Sequence, residues 1–240
     1  ICSGVLVYIS KKEDPTINSR QIFLLIGLLL IAQILKINFK TISPLSIIVT
    51  PTLIISQGMG TITALSWVSI ALINWPNSEY GMNEYILLIT FISSCIVAIL
   101  GGKIRSRAQL LQVSLFVPLG AFIGQYLLLG VNNNDLYNFN IQNLISKQGN
   151  IISDSFLLAT LMLLAIIFMP ILESIFGLVT KARLLELADQ EKPLLRRLSI
   201  EAPGTYEHTL LLCGLAEEAT RMIGGNVDLV RAGALYHDIG

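Results

Sequence analysis

The sequence predicts an all-α protein in two parts, a polytopic bundle of membrane-crossing helices followed by short helices in water. Three observations carry that expectation. Apolar residues make up 53% of the 240 positions and charged ones 13%, with a mean hydropathy of +0.70, values outside the range of a water-soluble domain. Long apolar stretches recur between short polar connections through most of the chain. From Thr180 onward the composition turns over to charged residues alternating with leucines, as amphipathic helices require.

Taken in order, Ile1 to Ile9 reads as the end of an apolar helix whose beginning is missing, so the chain is treated as a fragment cut inside structure at both ends. A span needs ~20 apolar residues. On that rule complete spans fall at Gln21–Ile37, Pro44–Ser56, Gly58–Trp75, Tyr85–Gly101, Leu110–Gly130 and Ser155–Val179. With the opening stub these make a seven-span bundle over residues 1–179. The break near Gln57-Gly58 is the least sharply marked, because Pro44–Ser56 is short enough for a re-entrant hairpin or one kinked element.

Basic residues orient the bundle. Lys11, Lys12 and Arg20 lie in the Ser10–Arg20 connection, and Lys103, Arg105 and Arg107 in Gly102–Gln109, whereas the opposite side holds Lys36, Lys40 and Lys147. Short cytoplasmic loops carry the excess of Lys and Arg, so with the chain emerging into the cytoplasm after Val179 the asymmetry supports seven spans in a plasma (inner) membrane. The Asn-rich loop Val131–Asn150 then falls outside. Trp67, Trp75, Tyr80 and Tyr85 are placed in part where an interfacial aromatic belt is expected.

Several function classes are disfavoured. Only Glu173 is an ionisable residue well inside a span, and Gln33, Gln57, Asn74 and Gln125 read as interhelical hydrogen-bond formers, which argues against an ion-coupled transporter. Formal net charge is zero and no polybasic surface exists, so a nucleic-acid polymer is not an expected partner; the lipid bilayer is. Cys2, Cys95 and Cys213 are scattered, with neither a disulfide framework nor a Cys-pair zinc spacing.

Residues 180–200 form a linker, read as an amphipathic helix leaving the membrane and interrupted at Pro193. Arg196 and Arg197 within it suit either a phosphate or headgroup contact or a solvated helix face. As the only covalent connection between bundle and C-terminal helices, this segment would pass on whatever the bundle senses.

The chemistry sits in Glu201–Gly240. Pro203 and Gly204 break what precedes, Thr205 can cap, and Gly224-Gly225 ends the run, giving a helix over Thr205–Ile223. A second helix, capped by Asn226 or Asp228, runs through Val230, Ala234 and Leu235 to His237-Asp238, with Gly240 as its stop. His208 shares a three-and-four-residue stripe with Leu211, Leu215, Ala219 and Met222, which predicts that its ring faces the packed interior. An imidazole buried there needs a partner, and a second helix ending in His-Asp supplies one through a shared divalent metal. Two imidazoles and a carboxylate suit Mn, Fe, Zn or Co. On spacing alone, a hydrogen-bonded core histidine beside a chance His-Asp dipeptide is an equal reading.

EAPGTYEHT followed by ALYHDIG resembles the HD phosphohydrolase domain, in the version found in membrane-bound seven-transmembrane HD proteins, whose members include cyclic di-AMP phosphodiesterases. KARLLELADQEKPLLRRLSIEAPGTY is similar to that family's linker and domain entry. The resemblance is specific over Thr180–Gly240 and architectural upstream. It implies that residues 201–240 are the N-terminal part of an HD domain, that His208, His237 and Asp238 are metal ligands, and that His237 and Asp238 belong to the catalytic centre. It further implies two divalent ions, Mn or Fe foremost, activating water for in-line attack on a cyclic dinucleotide, with cyclic di-AMP giving pApA. Control by an external signal through the bundle follows from the same family, and self-association is compatible with it.

One departure is that the family commonly has two adjacent histidines after GTY, whereas Glu207 precedes His208 here. The resemblance also implies further His and Asp ligands after Gly240, so the 240-residue chain is expected to bind metal weakly and to be inactive by itself. The alternative function is a seven-helix receptor or scaffold whose HD portion has lost catalysis.

Overall fold

A computed structural model describes residues 2–13, 17–38, 43–75, 84–132 and 150–239. Two compact units divide the chain, Ile1–Leu178 and Val179–Gly240. The described residues are helical throughout, without strands.

The first unit comprises α1 (Cys2–Glu13), α2 (Ser19–Asn38), α3 (Pro44–Met59), α4 (Thr61–Ile73), α5 (Glu84–Gly101), α6 (Arg107–Asn132) and α7 (Asn150–Phe176). Among the described residues, three helices are long and apolar enough to cross a bilayer: Ser19–Asn38, Arg107–Leu128 within α6, and Ile151–Phe176 within α7. Pro44–Met59, Thr61–Ile73 and Tyr85–Gly101 are apolar but shorter. Apolar side chains on the outer faces stay exposed, among them Phe23, Ile34, Phe116, Phe156 and Ile167. Such a surface is tolerable only against lipid, and this is a membrane protein.

At the centre stands α3. It is buried on every side, from Leu45 and Ile48 through Ile55 to Gln57, and packs against α4, α5 and α7. Pro44 occupies its first turn, where the missing N–H costs nothing, and Pro51 lies inside it. The break expected near Gln57-Gly58 falls at Gly60, whose φ of 92° suits glycine and lets the chain turn from α3 directly into α4. Close approach between α3 and α5 depends on Gly101, since a Cβ there would overlap Ser56 Oγ. The Gln57 amide donates to the Gly101 carbonyl at the same place, the interhelical role expected of it.

Other expectations are corrected. Helix α1 continues past Ile9 to Glu13, so Lys11 and Lys12 lie in its last turn, where they complement the helix dipole, rather than in a loop. Trp67 is fully buried and donates its indole N–H to the Leu25 carbonyl at 3.2 Å, so it is a core residue and not part of a belt. Trp75 is buried under the Lys36 ammonium, 4.7 Å from the ring centroid. Helix α7 starts at Asn150, five residues before the expected Ser155, and thereby draws Asp154 into the bundle beside Ser43 as a second buried acid. Glu173, the acid that was expected, is buried and pairs with Arg107 at 3.8 Å. Buried Gln125 finds no partner for its Nε2 among the described residues. Tyr80, Lys40, Lys147, Gly240 and most of the Val131–Asn150 loop lie outside the described residues.

The second unit contains α8 (Lys181–Leu187), α9 (Pro193–Glu201), α10 (Pro203–Met222) and α11 (Val227–Tyr236). The Thr180 hydroxyl caps α8 by accepting from the Arg183 N–H. The expected interruption is a turn over 188–192, and Pro193 opens α9. Arg197 pairs with Glu201 at 2.8 Å on an exposed face. Leu195, Cys213 and Leu235 form a small core, with Ala188, Leu210, Ala234, Tyr236 and Ile239 packed around it.

Candidate metal centre

Local sequence sets the two helices that carry the site. The helix that precedes ends at Glu201, as expected, but Pro203 itself begins α10, with Ala202 as the capping residue in place of Thr205, because a proline in the first turn forgoes only an N–H that no helix would use. Gly224, at φ 69°, ends α10 in the left-handed conformation, and the Gly225 N–H returns to the Thr220 carbonyl. Asn226 then caps α11 by accepting from the Leu229 N–H at 3.1 Å.

Helix α10 buries a different face from the one its leucines suggest. Thr209, Cys213 and Thr220 are buried, whereas His208, Leu211, Leu215, Ala219 and Met222 are exposed. The expectation that the His208 ring points into the interior is therefore overturned. Thr209 and Thr220 hand their hydroxyl protons to the Tyr206 and Ala216 carbonyls of their own helix, so their burial leaves no polar group unsatisfied. Short side chains on that face let α11 pack closely.

The pairing of α10 with α11 is fixed by one polar crosslink. Cys213 Sγ lies 3.3 Å from Glu217 Oε1 and 3.8 Å from the Arg231 carbonyl, while Arg231 Nε reaches the same Glu217 oxygen at 3.3 Å. Burial, reinforced by Glu217, pushes the Cys213 thiol up to about 11, so it stays a neutral packing group. From Cys213 back to His208 is five residues, and from Arg231 forward to His237 is six, so antiparallel helices bring the two imidazoles to one level. The Tyr236 hydroxyl donates to the Leu187 carbonyl at 2.9 Å, anchoring the end of α11 one residue before His237. Burial and the nearby Asp189 raise the Tyr236 phenol above its ordinary value and keep that donor protonated.

His208, His237 and Asp238 accordingly come together, each offering a ligand atom within 4.8 Å of the others, with all three exposed. The two rings stand 6.0 Å apart at 54°. His237 Nδ1 is 2.8 Å from the Ala234 carbonyl, which accepts only from a protonated nitrogen, so in the neutral ring the lone pair is on Nε2. That Nε2 faces Asp238 Oδ1 at 3.2 Å. Either a proton on Nε2 or a divalent ion between the two atoms satisfies both electron-pair donors at that separation. Ligands about 2.1 Å from a common ion stand at most about 4.2 Å apart, so closing on one requires only a small rotation of exposed side chains. The donor set, two nitrogens and a carboxylate oxygen, fits Mn, Fe, Zn or Co. Glu207 is exposed beside His208 and takes no part in the cluster. The Ala234 carbonyl was not legible in the sequence because a backbone acceptor has no residue-type signature.

A polytopic helical unit joined to a helical unit that presents a His/His-Asp cluster defines a membrane-anchored protein with a candidate metal site. Residues 1–180 match the family described as 7TM receptor with intracellular HD hydrolase, and residues 205–240 match the HD domain; the chain belongs to this seven-transmembrane HD family. HD domains are metal-dependent, in keeping with the cluster. The chain is 35% identical over 161 residues to the cyclic-di-AMP phosphodiesterase PgpH of Bacillus subtilis (strain 168), covering 67% of this chain and 22% of that protein. It is 51% identical over 71 residues to the PgpH of Listeria monocytogenes serotype 1/2a (strain 10403S), covering 30% of this chain and 10% of that protein. It is 56% identical over 71 residues to the uncharacterized protein slr0104 of Synechocystis sp. (strain ATCC 27184 / PCC 6803 / Kazusa), covering 30% of this chain and 9% of that protein. The chain thus spans at most about a fifth of the length of these relatives. No solved structure matches it.

Proposed function

We propose that the protein is a membrane-tethered, metal-dependent phosphodiesterase that hydrolyses a cyclic dinucleotide, cyclic di-AMP to pApA, under control of its transmembrane region. The observation that carries this reading is the convergence of His208, His237 and Asp238 within 4.8 Å in a chain of the seven-transmembrane HD family. The names of the Bacillus and Listeria relatives supply the substrate. In this reading residues 1–179 are a seven-span bundle in the inner (plasma) membrane, 180–200 a cytosolic linker and 201–240 the opening of the HD domain. An external signal acting on the bundle and association of copies belong to the same proposal.

Two divalent ions, Mn or Fe, would lower the pKa of bound water and offset charge growing on the phosphoryl oxygens. His208 and His237 would hold one of them through neutral imidazole nitrogens, and the Asp238 carboxylate would be a further metal ligand. Ala234 keeps His237 in the tautomer that presents Nε2, and Tyr236 holds the end of α11 in place.

In the full-length protein, His208→Ala, His237→Ala and Asp238→Ala are each expected to lower cyclic di-AMP hydrolysis by at least about a hundredfold, with membrane insertion unchanged. Chelation should silence the wild type, and added Mn should restore it. Turnover retained by His237→Ala or Asp238→Ala would refute the assignment.

A further inference from the structure

We propose that the groove between α5 and α6 is a binding site for an anionic phospholipid, with an acyl chain lying between the helices and the headgroup phosphate held at Lys103. The groove encloses about 740 Å³ and is lined from Leu88 on α5 to Leu128 on α6. On the α5 side Ile92, Ile96 and Leu100 follow one another at four-residue spacing, and on the α6 side Gly120 and Gly124 do the same, so both walls run along the helix axes. A stretch from Leu88 to Leu100 rises about 18 Å, which exceeds the ~15 Å depth of one leaflet's hydrocarbon. A long, narrow, apolar trough of that length matches an acyl chain.

Open space lies over Gly120. A Cβ at that position would meet nothing within 4 Å, and one at Gly124 would make only ordinary contact with Ile89, so space rather than a tight helix seam occupies the glycine face.

The chemistry of the two ends differs. Among the lining residues Lys103, Gln109 and Gln112 gather where α5 ends and α6 begins. Lys103 is exposed, and its ammonium has no ion-pair or hydrogen-bond partner among the described residues. No acid stands in the 102–109 segment, and Glu173 is engaged with Arg107. The N-terminus of α6 adds its positive dipole end. A cation, two amides and a helix N-terminus at the mouth of an apolar trough complement a phosphodiester at headgroup depth and disfavour a zwitterion's ammonium.

The test is native mass spectrometry of the full protein released from nanodiscs of equimolar phosphatidylglycerol and phosphatidylcholine. Wild type is expected to retain phosphatidylglycerol at least about fivefold over phosphatidylcholine. Lys103→Glu should abolish that preference, and Gly120→Phe, which fills the trough, should reduce retention of both lipids about tenfold. Lys103→Gln, which leaves the helix termini untouched, should fall between wild type and the charge reversal. Equal retention of the two lipids by wild type, or a preference unchanged in Lys103→Glu, overturns the proposal. So does a change of oligomeric state in Gly120→Phe with lipid retention intact, which would assign the groove to a helix of a second copy.

Discussion

His237 serves two neighbours at once, giving the Nδ1 proton to a carbonyl of its own helix and aiming Nε2 at Asp238. The geometry that turns Nε2 toward Asp238 thus begins with a residue, Ala234, that has no polar side chain. Cys213 shows the reverse case, a reactive residue type held inert. Its thiol is buried, bonded to Glu217 and raised from 9.0 to about 11. Because the folded value lies above the unfolded one, the neutral thiol favours the folded state below about pH 9, and that contribution is lost as pH rises through about 11. Thermal melts of the full protein, followed by hydrogen exchange in α10 and α11, are expected to show stability falling between pH 9 and 11, with a shallower fall in Cys213→Ala. Rapid alkylation of Cys213 at pH 7.4 in the folded protein would contradict this account.

At the scale of the element, helix ends were largely legible and helix faces were not. Gly224 and Asn226 are local signals that act through their own backbone, so they end α10 and cap α11 as their residue types require. The buried face of α10 was misjudged because leucines recur on the other side, while its threonines conceal their hydroxyls within the helix. The same limit applies to α3 and α5, whose approach rests on the absence of a side chain at Gly101. Gly101→Ala is expected to overpack that contact and destabilise the bundle by about 1–3 kcal/mol, measured as a lowered melting temperature in detergent. Ser56→Ala in the same chain should recover part of the loss, since it removes the hydroxyl the new methyl would strike. An unchanged melting temperature in Gly101→Ala would show that the two helices are not in contact there.

For the whole molecule, the proposal that the HD segment lies in the cytoplasm follows the family and is supported by two clusters of basic residues, Lys11, Lys12 and Arg20 where α1 ends and α2 begins, and Lys103, Arg105 and Arg107 where α5 ends and α6 begins. Alkaline phosphatase fused within the 102–106 connection, or after residue 200, is expected to be inactive, and fused within residues 133–149 to be active. Activity at the first position would invert the bundle and place the metal cluster outside the cell.

What the sequence determined by itself is whatever depends on neighbours along the chain: an all-α class, apolar stretches of membrane length, and a cap here and a stop there. Tertiary structure alone decided which faces meet: α3 at the centre, Trp67 in the core, Asp154 drawn inside, and His208 at the surface beside His237 and Asp238. The physical reason is that periodicity states how side chains are distributed around a helix. Which of two plausible faces is buried depends on the free energy of packing against a partner far away in the chain, and no local pattern encodes it.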